Sequence, residues 1–133
     1  MRIMLDTNIL ISTGIFTVNK STLCIFSIAD RYDIVLSTQI IEELQTVIER
    51  KFSDKKPDLE RFLNRLNYEV AVTPKDIDEY IYPKIRDKKD YPILASAIIA
   101  DVDIFITDDK DFSDINLERP KIMSLLEFAS IYL

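Results

Sequence analysis

Four acidic residues lie where predicted helices and strands begin or end, and they are the side chains of this sequence best placed for chemistry. Asp6 ends a short apolar segment, Glu43 lies on an amphipathic segment, Asp90 precedes a very apolar one, and Asp109 follows another. Carboxylates that are brought together repel one another unless a cation lies between them. The set therefore predicts a magnesium site that cleaves phosphodiester bonds.

The composition excludes several other kinds of catalytic centre. The sequence contains no histidine, one cysteine and one glycine. It therefore lacks the residues for Ser-His-Asp or Cys-His catalysis, for a zinc site of the usual ligands and for a glycine-rich phosphate loop. Carboxylates that hold a hard cation such as Mg²⁺ are the chemistry that remains best supplied.

Length and composition indicate one globular domain over residues 1–133. The sequence is 47% hydrophobic and 30% charged, which is typical of a folded protein. No apolar run approaches the ~20 residues that a membrane-spanning helix needs. Cys24 is the only cysteine, which excludes an internal disulfide and fits a reducing cytoplasm. We therefore expect a cytoplasmic protein that does not enter a membrane.

The net charge of −6 is unusual for a protein that binds nucleic acid, but the basic residues are clustered. One group lies close to the acids in sequence and contains Arg86, Lys88, Lys89 and Lys110. Basic patches beside a metal can bind phosphate even when the total charge is negative. A second group, at residues 50–56, is as well explained by a solvated helix end.

Short apolar segments alternate with helical patterns along the whole sequence. Strands are predicted at residues 2–5, 34–36, 69–73, 104–106 and 121–123, and helices at residues 21–30, 38–52, 58–66 and 91–100, with two more starting at Thr73–Pro74 and at the capping box Ser124–Glu127. Such alternation predicts an α/β fold, a three-layer α/β/α sandwich with a central parallel sheet. Ligands of such sheets bind at the carboxyl ends of the strands, where all four acids can meet.

Two of the acidic positions require a choice between neighbours. On a helix, Ile40, Leu44 and Ile48 define the apolar face, so Glu42 points to solvent and Glu43 borders the buried side. Asp90 is either a helix N-cap or a metal ligand, and Asp87 is its nearest substitute. We favour Glu43 and Asp90.

Three further polar residues are expected to support the acids. Asn8 follows Asp6 and either orients it, or a metal-bound water, or forms a simple turn. Thr107 and Asp111 flank Asp109 and are expected to hold metal-bound water. These polar groups complete the predicted site.

Taken together, these segments resemble the PIN-domain family, and especially its bacterial members that are the toxin components of toxin–antitoxin pairs. The resemblance is carried by residues 5–12, 37–44, 86–95, 105–112 and 122–128, which keep the order of the family's motifs. It implies a parallel sheet flanked by helices. It also implies that Asp6, Glu43, Asp90 and Asp109 hold Mg²⁺ or Mn²⁺, and that the activity is endonucleolytic cleavage of single-stranded RNA.

The sequence departs from the family pattern at two positions. Asp108 stands where many relatives have glycine, and this extra acid could change metal affinity or simply face water. Pro92 is unusually close to Asp90 and puts the start of that helix in question.

The resemblance further implies a small antitoxin protein as partner, and we also expect a homodimer, for which the apolar segment at residues 77–85 could supply a surface. A free-standing RNA-processing nuclease and a non-catalytic metal- or nucleic-acid-binding module of the same fold remain alternatives. A phosphatase with Asp6 as nucleophile is disfavoured, because residue 8 is asparagine where that class expects a second aspartate.

Overall fold

The computed structural model describes residues 1–14 and 20–133, and the side chains of residues 13–21 lie outside that description. Within the described chain, five strands form one sheet, namely β1 (Arg2–Leu5), β2 (Asp33–Ser37), β3 (Tyr68–Ala71), β4 (Ile104–Ile106) and β5 (Lys121–Met123). All neighbouring strands are parallel, and their order across the sheet is β3-β2-β1-β4-β5. The predicted parallel sheet is confirmed.

Helices connect and cover these strands. They are α1 (Thr7–Gly14), α2 (Lys20–Arg31), α3 (Thr38–Lys51), α4 (Lys56–Arg65), α5 (Tyr91–Ile99) and α6 (Leu125–Tyr132), with short 3₁₀ turns at Ser53–Lys55, Glu79–Ile81, Lys88–Asp90 and Lys110–Phe112. The α/β fold predicted from the sequence, a three-layer sandwich, is thereby confirmed. None of the helices in the described ranges is long and apolar enough to cross a membrane.

The three central strands, β1, β2 and β4, are mostly buried because helices cover the sheet. Ile3, Met4 and Leu5 of β1 are all fully buried, as are Val35 and Leu36 of β2. Continuous apolar strands of this kind are typical of parallel sheets packed on both faces. Packing in this core fixes the position of each strand in the sheet. It therefore also fixes the position of the polar residue that follows the strand.

Local signals in the sequence explain where several helices begin. The Ser37 hydroxyl accepts a hydrogen bond from the Ile40 amide at 3.2 Å and caps α3. The capping box between Ser124 and Glu127 is present at the start of α6, as predicted. Helix α2 begins at Lys20, so Ser21 lies inside the helix rather than before it, and the side chain expected to cap it lies outside the described residues.

The helix predicted to start at Thr73–Pro74 is absent from the described structure, and that prediction was wrong. Thr73 instead binds the start of α3, because its amide donates to the Thr38 hydroxyl at 3.0 Å. Its own hydroxyl accepts from the Gln39 amide at 3.0 Å. These reciprocal hydrogen bonds engage the groups that would otherwise cap a new helix, so the chain continues as a loop.

The direction of the chain across the sheet reverses between β1 and β4. From β1 the chain steps to β2 and β3, and it then returns to form β4 on the other side of β1. In parallel sheets, the crevice at the carboxyl ends of two such strands is the usual place for a ligand. Asp6 and Thr107 are the first residues after these two strands.

Candidate metal centre

Asp6 is held at the carboxyl end of β1 by hydrogen bonds to both of its oxygens. Leu5 pairs with Ile106, so the residues that follow β1 and β4 lie side by side. The Thr107 hydroxyl donates to Asp6 Oδ2 at 2.6 Å, and the Thr7 amide donates to Oδ1 at 2.8 Å. Asp6 and Thr107 are both buried. The protein therefore fixes this carboxylate in one orientation.

Glu43 reaches the same site from α3. Its Oε2 accepts a hydrogen bond from the Thr7 hydroxyl at 2.9 Å, and its Oε1 accepts from the Gln39 amide group at 3.2 Å. Glu43 is half-buried, whereas Glu42 is exposed. The placement agrees with the helical-face argument, and Thr7 joins two of the predicted acids through its amide and its hydroxyl.

The loop after β4 places Asp109 beside this pair. The Asp109 amide donates to the Thr107 hydroxyl at 3.0 Å, and Asp109 Oδ1 accepts from the Asp111 amide at 2.9 Å. The Thr107 hydroxyl thus donates to Asp6 and accepts from the Asp109 amide, and its expected role in holding metal-bound water stays a prediction. In this structure the hydroxyl orients a carboxylate and fixes the loop.

Asp90 lies at the start of α5 without acting as a cap through its side chain. Its backbone occupies the N-cap position, but its carboxylate makes no capping hydrogen bond. Asp87 caps the preceding 3₁₀ turn instead, accepting from the Lys89 amide at 3.0 Å. Pro92 falls in the first turn of α5, where proline is tolerated, so the helix starts as predicted.

One carboxylate oxygen of Asp90, Oδ2, is buried without a hydrogen-bond partner in the part of the chain that the structure describes. Carboxylate oxygens of Asp87, Asp90 and Asp111 also lie within 4.8 Å of one another. An all-carboxylate set of oxygens with a buried orphan atom fits a hard divalent cation such as Mg²⁺.

Mutual repulsion shows that the predicted acids lie near one another. Burial raises the pKa of Asp6 to about 6, hydrogen bonds from Thr107 and Thr7 oppose that rise, and the charges of Glu43 and Asp109 add to it. Burial also raises the pKa of Asp90 to about 7, with repulsion from Asp109 as the next cause, followed by Asp87 and Asp111. The charge of Asp109 therefore acts on both Asp6 and Asp90.

The structure brings Asp87 and Asp111 closer to Asp90 than the sequence suggested. Asp87 was considered only as a substitute for Asp90, and Asp111 only as a supporting group. The signal for Asp87 was its position three residues before Asp90, since the intervening single 3₁₀ turn returns the two side chains to the same side. Asn8 is exposed in the first turn of α1, and no hydrogen bond joins it to Asp6 within the described ranges.

Basic side chains border the acids on the same edge. Arg86 Nε lies 3.8 Å from Asp111 Oδ1, and most of the Arg86 side chain is exposed. Lys88 Nζ lies 3.7 Å from Glu79 Oε2, and Lys110 is exposed beside Asp109. Arg86 and Lys110 therefore border the acids at Asp111 and Asp109.

Comparisons with known proteins agree with this architecture. A family model described as PIN domain matches residues 2–111. The chain is similar to a crystal structure of VapBC2 from Rickettsia felis bound to a DNA fragment from their promoter, with 20% sequence identity and a TM-score of 0.69. The match covers 93% of this chain and 98% of that one. No relative among the curated proteins matches the sequence.

Proposed function

This chain belongs to the PIN-domain family, and from that premise we propose that it is a Mg²⁺- or Mn²⁺-dependent endoribonuclease that cleaves single-stranded RNA. The observation that supports the proposal is that Asp6 and Asp109 follow β1 and β4 at one edge of the sheet. At that edge, Thr7 donates to Asp6 through its backbone amide and to Glu43 through its side-chain hydroxyl. Asp6 and Asp90 both feel the charge of Asp109, and Asp6 also feels that of Glu43. No apolar packing requires acids to converge in this way.

Asp6, Glu43, Asp90 and Asp109 are the residues that would hold the cation, with Asp87 and Asp111 beside Asp90. When bound, a divalent cation makes a water molecule nucleophilic and stabilises the negative charge that develops on the attacked phosphate. The absence of histidine suits Mg²⁺, which prefers oxygen ligands and keeps several waters.

The chain's own residues orient these acids and attract the substrate. Thr107 and Thr7 fix the Asp6 carboxylate, and Gln39 fixes Glu43. Arg86 and Lys110 lie at the edge of the centre and would bind phosphates of the RNA backbone, which lowers the repulsion between an acidic protein and its substrate.

We further propose that the protein is the toxin of a toxin–antitoxin pair and acts in the cytoplasm. Two likenesses support this, the sequence motifs shared with bacterial toxin components and the fold shared with a chain of the VapBC2 structure. A small antitoxin would cover the site, and a homodimer would bury apolar side chains such as Tyr80 and Ile81, which are exposed in this chain.

The test is cleavage of a mixed single-stranded RNA pool by purified protein, with Mg²⁺, Mn²⁺ or EDTA, beside Asp6→Asn. We expect cleavage with either metal, none with EDTA, and its loss in the variant. Antitoxin is first removed under denaturing conditions, and refolding is checked by circular dichroism. A folded, metal-binding protein that leaves RNA intact would instead favour a non-catalytic module.

A further inference from the structure

A cavity of about 330 Å³ lies at the carboxyl end of β5, directly beside the candidate metal centre. Thr107 and Asp109 belong to its lining, so the cavity borders the candidate metal centre at Asp109. Its volume is in the range of sites that accept small molecules or parts of larger ligands. A group bound in the cavity would lie next to a ligand bound at the acid centre.

The inner wall of this cavity is apolar and fixed in place. Phe112 and Met123 are buried in the wall, and Ile115 and Ile122 are half-buried there. Phe112 packs edge-to-face on Phe105, with ring centroids 5.2 Å apart and an interplanar angle of 79°. A preformed apolar wall of this kind suits a flat ring, which loses water contact on one face when it binds.

The rim of the cavity is dominated by hydrogen-bond acceptors. The carboxylates of Asp108 and Glu127 lie on it, together with the Ser124 hydroxyl and the Lys110 ammonium group. Glu127 Oε1 accepts from the Ser124 amide at 3.4 Å in the capping box of α6, which leaves Oε2 available. The Asp108 carboxylate makes no hydrogen bond or ion pair within the described part of the chain.

Asp108 has its place in this cavity rather than in the metal centre. It is not one of the three acids that converge around Asp90. Its charge is also not among the causes that raise the pKa of Asp6 or Asp90. An exposed carboxylate that faces a cavity next to a reactive centre is suited to contact a substrate group beside the reacting bond.

We propose that the cavity receives the nucleobase next to the cleaved phosphate, and that Asp108 and Glu127 select bases with an amino group against uracil. This inference rests on the proposed RNA cleavage. Adenine, cytosine and guanine each offer amino hydrogens that a carboxylate can accept. Uracil has no amino group and offers a single N–H donor between two carbonyl oxygens, so at least one of the two carboxylates would face an acceptor. Lys110 offsets the charge of the adjoining phosphate.

The experiment maps cleavage sites in a randomised single-stranded RNA pool and counts the bases on either side of each cut. For the wild-type protein we expect uracil to be depleted roughly tenfold at one flanking position. Asp108→Asn and Glu127→Gln supply a donor to the uracil carbonyls, so each should reduce that depletion several-fold, and glutamine preserves the capping box. The matched control is Asp114→Asn, an exposed acid of the same loop that does not line the cavity, and its profile should equal the wild type.

Cleavage with a flat base profile, or a uracil depletion that both variants leave unchanged, would overturn the subsite while leaving the nuclease intact. If no RNA is cut, the proposed function fails and a second measurement decides the cavity. In that measurement, methyl NMR signals of Ile115, Ile122 and Met123 are followed during titration with cytidine or uridine 5′-monophosphate. Preferential shifts with the cytidine nucleotide, reduced in Asp108→Asn, support the subsite, and equal or absent shifts refute it.

Discussion

The two halves of the acid centre differ in how their carboxylates are satisfied. In the held pair, Asp6 and Glu43, each of the four carboxylate oxygens accepts a hydrogen bond from the protein. In the open trio, Asp87, Asp90 and Asp111, the acids lie within 4.8 Å of one another and Asp90 Oδ2 has no partner among the described residues. In the first half every carboxylate oxygen is thus held by a hydrogen bond, whereas in the second a buried oxygen of Asp90 has no partner among the described residues.

The difference indicates that the two groups of acids contribute to cation binding in different ways. Hydrogen bonds fix the geometry of the held pair before any cation arrives, which lowers the cost of assembling the site. The open trio stores repulsion that a divalent cation would relieve, and that relief contributes to cation binding. The charge of Asp109 raises the pKa of both Asp6 and Asp90.

The largest effect is expected from a change in the open trio. Asp90→Asn removes the orphan carboxylate, so we expect RNA cleavage to fall about 100-fold or more. The same variant should melt at a higher temperature than the wild type in EDTA, because the repelling charge is gone. Asp30→Asn, an exposed acid at the end of α2, is the control and should change neither quantity. An Asp90→Asn variant that loses activity and is also less stable than the wild type in EDTA would contradict this account.

The next largest effect is expected where the held pair loses a donor. Thr107→Val keeps the side-chain shape but removes the hydroxyl that binds Asp6 and the Asp109 amide. A hydrogen bond to a charged group is worth enough to lower kcat about 10- to 100-fold. Single-turnover cleavage measures it, with Thr46→Val on the exposed side of α3 as control. Wild-type kcat in Thr107→Val would show that Asp6 needs no such orientation.

The stability of the metal-free protein is expected to depend on the protonation of Asp6. The pKa of Asp6 in the folded protein is raised above the ordinary value of 3.8 to about 6, so the folded state binds the proton more tightly than the unfolded state. Without metal, the contribution of Asp6 to stability is therefore greatest below pH ~4 and declines toward pH 6–7.

Denaturant unfolding of the wild type and Asp6→Asn in EDTA, at pH 4 and pH 7, measures this decline. We expect the variant to gain about 2 kcal/mol relative to the wild type between the two pH values. Saturating Mg²⁺ should reduce that gain, because the cation favours the ionised carboxylate. A difference that does not change with pH would contradict the raised pKa of Asp6, which results mainly from its burial.

The smallest effect is expected at Gln39, which orients Glu43 through one neutral donor. Gln39→Ala should lower kcat about two- to tenfold and leave KM for RNA unchanged. Gln45→Ala, an exposed residue on the same helix, is the matched control. A change in KM alone would instead make Gln39 a substrate contact.

The sequence was sufficient for those features that depend on periodicity and local caps. Patterns of three to eight residues predict the strand before Asp6 and the Ser37 cap. They also predict that Glu43, rather than Glu42, lies on the half-buried side of its helix. The loop at Thr73 did not follow, because its hydrogen bonds join residues far apart in the chain. Asp111 was underestimated for the same reason, since it approaches Asp90 only when α5 and the loop after β4 come together, whereas Asp87 is linked to Asp90 by a local 3₁₀ turn.

The roles of the adjacent acids Glu42 and Glu43 test the central claim most directly. Both are carboxylates on the same helix, but only Glu43 accepts hydrogen bonds from Thr7 and Gln39 at the acid centre. We would measure Mg²⁺-dependent cleavage of single-stranded RNA by Glu43→Gln and Glu42→Gln at equal protein concentration. The account predicts activity near wild type for Glu42→Gln and a loss of about 100-fold or more for Glu43→Gln. Equal activity in the two variants would contradict a metal centre built at this edge of the sheet.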